Sequence, residues 1–519
     1  MAINNFFTFF GKKGFDNERY LRAQTDAITE RASKFTKIYL EFGGKLLYDY
    51  HAAHVLPGYE LDTKMHVIKK LAEKRPVEFL FCVSARDLES EKKMSALGIS
   101  YRDFSIKMLE NIRMYGFYVP NVVINLFSGE QKAKEFGNYL KKQKYRVYYR
   151  ELIKGYPNNL NAIASRFGYG KKPFIKTDKP IVIVAGAGPN SGKMATCLTM
   201  IYQDYLQKKD SGYAKFESFP IWNIPLISPI NAAYEAATVD INDYNLIDPY
   251  HLEAYKIEAV NYNRDISGFS IIKKIFGKII SRSNFMRAYK SPTDMGINKM
   301  KEGITDIELC ERAARQEIIR RYFSYKSDFF SGVRSEECFL RVGNIMKKSK
   351  ILFSERPIIA LARKTAGKPL HNKWRRGLCI GRVGCALMLS DSTIVCGTNS
   401  LHMHAESAAI MNALKKMAKI KANVDILWPK AIEQIRKLRK IIYNDQSENL
   451  SVPEILIVLA ISAKIERNAA KAFAKIKKLH SCELHTTHLL CREDSSALRA
   501  LGINFTSDGK IEVGKIHIG

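Results

Sequence analysis

The residues best suited to chemistry lie in IVIVAGAGPNSGKMATCL, where an apolar run ends in Gly186, Gly188, Asn190, Ser191, Gly192 and Lys193 and a helical pattern begins at once. A phosphate group needs converging backbone N–H groups, a helix N-terminus and a compact cation, and glycine keeps the approach clear of side chains. The segment departs from G-x-x-x-x-G-K-[ST] at two places: Ala187 stands at the first glycine, and Met194 replaces the hydroxyl that would ligate Mg²⁺. Thr196 or Ser191 could supply a hydroxyl instead, or acidic residues elsewhere could hold the metal. The competing reading is a tight strand-to-helix turn that binds nothing.

Downstream, GYAKFESFPIWN and the residues up to Asp265 crowd carboxylates and carboxamides among aromatic rings and prolines. Such groups destabilise a fold unless they line a site or bind one another. Asp240 or Asp248 would hold Mg²⁺, Glu217 would act as base or metal ligand, and Arg264 or Lys215 would face phosphate oxygens. The alternative makes several of them caps and turn formers, Asp248 before Pro249 above all. The resulting expectation is a catalytic set of Lys193, Glu217, Asp240 and Arg264, with ligand contacts from Gly186 to Lys193 and Thr196, and a metal held by Thr196 and Asp240. A second Gly-Gly-Lys, Gly43 to Lys45, precedes Asp49, His51 and His54, and reads equally as a substrate-holding turn or a plain one.

Near the C-terminus, VGCALMLSDSTIVCGTNSLHMHAESAAIMNALK resembles the strand-strand-helix opening of the cytidine-deaminase-like fold, with His404-Ala405-Glu406 at the helix start. In zinc deaminases that His ligates zinc, the Glu shuttles protons, and a later P-C-x-x-C helix supplies two thiolates. The later helix expected here, ERNAAKAFAKI, has no cysteine, and Cys482 and Cys491 fall on or after the last strand. Zinc is therefore not expected, and His402 and His404 read as surface or capping residues.

The elements that must position these groups alternate. From Lys37 the chain reads IYLEF, a helical pattern, VEFLFCVSA, a helix, NVVINLF, a helix and YRVYYREL. Continuous apolar strands alternating with amphipathic helices predict an α/β fold with three-layer parallel or mixed sheets. The polar stretch RFGYGKKPFIKTDKP suggests a boundary. The expected domains are 1–175, a P-loop-like central domain 176–335, and a C-terminal α/β domain 336–519. In the last of these, EILIVLAIS is read as a strand followed by the helix NAAKAFAKIKKL and the strand CELHTTHLL.

With 519 residues, 46% hydrophobic and 11% aromatic, the chain can bury a sizeable core, which excludes disordered and low-complexity classes. Nine scattered cysteines without a Cys-x-x-Cys pair argue against a disulfide framework and for a reducing cytoplasm. Neither a secretory leader nor a membrane span is expected. The net charge of +31 raises nucleic-acid binding, but the excess lies largely at helical spacing (IRKLRK, KAFAKIKK) with few aromatic residues nearby, which suits a solvated helix face.

The strings GFDNERYL, YLEFGGKLLYDYHAAHVLPG, GPNSGKMATCL, GYAKFESFPIWN, NAAYEAAT, DPYHLEAY, VNYNRDI and YKSPTDMGIN resemble a bacterial family catalogued as a domain of unknown function, DUF eighteen-forty-six. The resemblance runs from about Lys13 to Thr506 and departs at His54 and in LHMHAE. It implies a cytoplasmic, multidomain α/β protein with a P-loop-like turn. The function expected is a nucleotide-binding enzyme that takes ATP or another phosphorylated ligand and transfers or hydrolyses phosphoryl groups on a small molecule with Mg²⁺. Such an enzyme is expected to be a homo-oligomer. The alternatives are a metal-free small-molecule transferase and a basic regulatory protein that binds nucleic acid.

Overall fold

The computed structural model describes residues 12–91, 99–156, 158–367, 382–400, 402–443 and 449–509. They divide into one unit spanning Lys13–Ala314 and another from Arg315 onward. In the first, helices α1 (Asn17–Ser33), α2 (Thr63–Lys74), α3 (Tyr101–Met114) and α4 (Gln131–Lys142) alternate with strands β1 (Lys37–Phe42), β2 (Val77–Ser84), β3 (Asn121–Asn125) and β4 (Arg146–Arg150). The chain continues through β5 (Ile181–Gly186), α5 (Lys193–Leu206), β6 (Ser211–Phe216), the short strands β7 (Asn245–Ile247) and β8 (Val260–Tyr262), α6 (Asn263–Ile279) and β9 (Gly296–Ile297).

Seven of these strands form one sheet in the order β4-β3-β2-β5-β1-β6-β9, and every pairing is parallel. Helices cover both faces of a parallel sheet, which is why its strands are apolar without alternation. β5 lies between β1 and β2, with Leu40 opposite Ile183 and Phe79 opposite Ile183. The break expected near residue 176 therefore falls inside this unit, and the polar stretch before β5 is a connection.

The strand order also locates a reversal. From β1 the chain passes over the place of β5 to reach β2, whereas from β5 it passes over β1 to reach β6. Right-handed crossovers running in opposite directions put their helices on opposite faces. The carboxyl ends of β5 and β1 therefore flank the position where open α/β sheets bind ligands.

The second unit holds α7 (Pro357–Ala366), β10 (Gly384–Met388), β11 (Ile394–Thr398), α8 (Ala405–Met417), α9 (Pro429–Tyr443), α10 (Val452–Ser462), α11 (Arg467–Phe473), β12 (Glu483–Thr486), α12 (Arg492–Ala500) and β13 (Asn504–Ser507). Its mixed sheet runs β11-β10-β12-β13, antiparallel at the first two pairings and parallel at the last. Its core brings together Leu387, Ile410, Leu414, Val458, Leu484 and Leu498.

Here the structure corrects one expected element. EILIVLAIS is not a strand but most of α10. An unbroken apolar run carries no period to separate a buried strand from a buried helix. The deciding residues lie at its start: Ser451 and Glu454 form a reciprocal capping box, and Pro453 sits in the first turn. Among the described residues, no helix is long and apolar enough to cross a membrane.

Candidate functional site

At the carboxyl end of β5 the chain turns through residues 187–192 into α5. Gly192 is the N-cap of α5 at φ +81°, a left-handed conformation, and a Cβ there would lie 2.7 Å from the Asn125 side chain. Only glycine suits both conditions. Because this cap has no side chain, the first N–H groups of α5 receive no side-chain cap. Such groups are natural anion donors. Gly188 is required for a different reason, since a Cβ there would meet the Tyr101 ring at 2.5 Å.

Lys193 extends along the loop, donating to the Gly188 carbonyl at 3.3 Å and the Ser191 hydroxyl at 3.4 Å. Burial depresses its pKa; Glu41 opposes this, and the Lys215 and Arg264 cations add to it. Arg264, from the first turn of α6, donates to Asn190 Oδ1 at 3.2 Å and to Asp243 Oδ2 at 3.0 Å. It thereby ties the loop after β5 to the segment before β7.

β6 carries the second group. Tyr213, Lys215 and Glu217 fall at alternate positions and so share one face as the strand leaves the sheet. Tyr213 donates to Glu41 of β1 at 2.7 Å. Lys215 pairs with Glu217 at 2.8 Å, contacts Asp265 of α6 in an ion pair, and donates to the Tyr262 hydroxyl. Burial alone would depress Lys215, but Asp265, Glu217 and Glu41 outweigh it and hold the ammonium above the usual lysine range. Burial raises Glu217, Lys215 opposes, and Asp265 adds to the rise, leaving this carboxyl pushed up to about 7. Its Oε1 accepts from Tyr262 at 3.1 Å, while Oε2 is buried with no hydrogen-bond partner. A carboxyl poised near neutrality can both take up and release a proton.

The structure distributes the expected residues unevenly. Gly186, Gly188, Asn190, Ser191, Gly192 and Lys193 form the loop, and Arg264 meets it. Thr196 lies fully buried beneath it. Its hydroxyl donates to the Gly192 carbonyl at 2.9 Å and accepts from Arg150 at 2.7 Å and Asn125 at 3.2 Å. One donor and two acceptor sites are all a hydroxyl has, so Thr196 has no capacity left for Mg²⁺. Asp240 is exposed on a short turn, and the carboxylate placed against Arg264 is Asp243. Asp248 is a helix cap, accepting from the Tyr250 and His251 N–H groups and from Thr293. After β1, Lys64 pairs with Asp49 at 2.8 Å and donates to the Gly43 carbonyl at 3.3 Å, so this turn has an internal ion pair to hold it.

Sequence reasoning missed Glu41, and the signal was present: a carboxylate inside IYLEF, a strand covered on both faces. It also missed Asn125 and Arg150, polar ends of strands that reach the loop only through the sheet order.

In the second unit, the 404–406 segment starts α8. Because EILIVLAIS is helical, the helix following the strand next to β10 is α12. Cys491 is the N-cap of α12 and Asp494 lies in its first turn. His404 is the N-cap of α8, and its Nδ1 is 2.7 Å from Asp494 Oδ2. One donor atom each from His404, Cys491 and Asp494 lies within 4.8 Å of the others. The structure thus gathers three donors where the sequence suggests one.

A family model described as Domain of unknown function DUF1846, N-terminal, matches residues 13–350, and the corresponding C-terminal model matches residues 354–517. A UPF0371 protein of Clostridium tetani is 41% identical over 497 residues, covering 96% of this chain and 97% of its own. A UPF0371 protein of Clostridium botulinum is 41% identical over 495 residues, covering 95% of this chain and 97% of its own.

Proposed function

From the premise that the chain belongs to the DUF1846 family, we propose that its N-terminal unit is an enzyme acting on a phosphorylated small molecule, ATP among the candidates. The phosphate rests on the loop from Gly186 to Lys193. The observation that carries this reading is the uncapped start of α5 beside Lys193 and Arg264, at the reversal point of the parallel sheet. Backbone N–H groups and two cations of different shape are the complement of a phosphate. Glu217, within the Lys215–Tyr262–Asp265 cluster, is the proton donor or acceptor for the reacting part of the ligand.

The P-loop likeness extends to phosphate binding and stops short of the metal. With Met194 at the hydroxyl position and Thr196 saturated, Mg²⁺ would have to arrive with the nucleotide or be held by other carboxylates.

Calorimetric titration of the full chain with inorganic phosphate and with ATP, each with and without Mg²⁺, tests the proposal. Lys193→Ala removes a charge-assisted hydrogen bond and is expected to weaken binding at least about tenfold. Unchanged affinity in that variant would refute the assignment. Steep salt dependence on nucleic acid, unaffected by Lys193→Ala, would favour the basic regulatory reading instead.

A further inference from the structure

The cluster in the second unit rests on residues other than those of the proposed phosphate chemistry. Two helices meet there by their N-termini. His404 caps α8, and Cys491 caps α12 with Asp494 one turn along. Asp494 is fully buried. Its Oδ1 accepts from the Val452 N–H at 2.6 Å, and its Oδ2 shares a proton with His404 at 2.7 Å. The carboxylate is thus held in one orientation, toward the imidazole. Its pKa is lowered: burial opposes ionisation, and the hydrogen bond and charge of His404 outweigh it. Burial pushes the Cys491 thiol up.

A second observation points to a ligand here. Glu406, two residues beyond His404 on the first turn of α8, is fully buried. Its Oε1 accepts from the Thr486 hydroxyl and lies 3.5 Å from His488 Nδ1, while its Oε2 has no hydrogen-bond partner. His488, which neighbours Glu406, precedes the Cys491 cap by three residues, and Glu406 itself follows the His404 cap by two, so the carboxylate is tied to both helix starts. An unpartnered buried carboxylate oxygen is unfavourable unless a ligand or water completes it.

We propose that His404, Cys491 and Asp494 form a binding site for a zinc-class divalent cation, with Glu406 beside the open fourth position. The donor set selects the ion: nitrogen, sulfur and a single carboxylate suit zinc and exclude Mg²⁺ and Ca²⁺, which require oxygen. Around a tetrahedral ion such donors stand about 3.5 Å apart. The shared proton between His404 and Asp494 gives way to the ion as their separation opens by under about 1 Å, and Cys491 closes from within 4.8 Å. A thiolate and a carboxylate balance the ion's charge, and the N-termini of α8 and α12 favour both anions. Three protein ligands with one open position is the arrangement of reactive rather than purely structural zinc sites.

The test uses the full chain, stripped with a chelator and titrated with Co²⁺ and then Zn²⁺. The expected result is equimolar Co²⁺ with the visible absorption of a tetrahedral ion and a near-ultraviolet thiolate-to-metal band, both displaced by Zn²⁺. Cys491→Ser should abolish the thiolate band and weaken binding at least about tenfold. Serine is itself a good N-cap, so α12 is preserved, and an unchanged circular dichroism spectrum verifies this. His404→Gln should lower affinity similarly, while Cys396→Ser and Cys482→Ser should leave the spectrum unchanged. Substoichiometric Co²⁺, or a thiolate band that survives Cys491→Ser, would overturn the proposal.

Discussion

Glu217→Gln isolates the buried carboxyl on which the proposed proton chemistry rests. Glu217 is 3% exposed, and its pKa moves from 4.5 to about 7 on folding. At about 1.4 kcal/mol per pKa step, that displacement is worth about 3 kcal/mol. Below pH 4.5 the carboxyl is neutral in both states and folding is unaffected. Between 4.5 and about 7 the folded protein keeps a proton that the unfolded chain has lost, so stability falls as pH rises through that window. Above it the whole penalty is in force. The substituted amide offers the same oxygen to Tyr262 but never titrates. Relative to wild type, the variant should therefore gain about 3 kcal/mol on going from low to high pH, most of it between about pH 5 and about pH 8. Urea titrations of both proteins at those two values read the difference, and any pH-independent offset from the altered Lys215 pair cancels between them. A difference constant to within about 0.5 kcal/mol would show that Glu217 ionises at its ordinary pH and would remove it as a proton carrier.

Gly192→Ala forces a side chain into a left-handed backbone against Asn125. It should cost about 1–3 kcal/mol in urea unfolding and abolish phosphate binding in the same calorimetric assay. In the second unit, Glu483 takes Arg320 at 2.6 Å and Arg356 at 2.6 Å, and Arg356 is 1% exposed. Glu483→Gln leaves that guanidinium buried without its anion. The expected loss is about 3–5 kcal/mol, or a fall in Tm on the order of 10 °C by calorimetry. A fall of under about 2 °C would show that the pair adds nothing over a neutral contact.

Local chemistry was legible in residues that are neighbours along the chain. The run from Ile181 to Leu198 announced strand, glycine turn and helix, because apolar continuity, a left-handed glycine and helical spacing are all short-range properties. Tyr213, Lys215 and Glu217 could likewise be placed on one face from their alternate spacing. The element α10 was not legible from its own apolar run, because such a run satisfies either period. The Ser451–Glu454 box at its start carried the information.

What tertiary structure alone decided was which of these local pieces meet. Lys215 and Asp265, 50 residues apart, share one buried charge cluster because β6 and α6 converge at the end of the sheet. Thr196 lost its expected role because Arg150 and Asn125, from strands on the far side of β2, saturate its hydroxyl. His404 and Asp494, 90 residues apart, meet because two helices end at one point. The sequence by itself determined the α/β class, the glycine-rich strand-to-helix turn and most elements, since these follow from propensity and period. Sheet order and helix convergence depend on burying those elements against one another, and that long-range packing set the composition of both candidate sites.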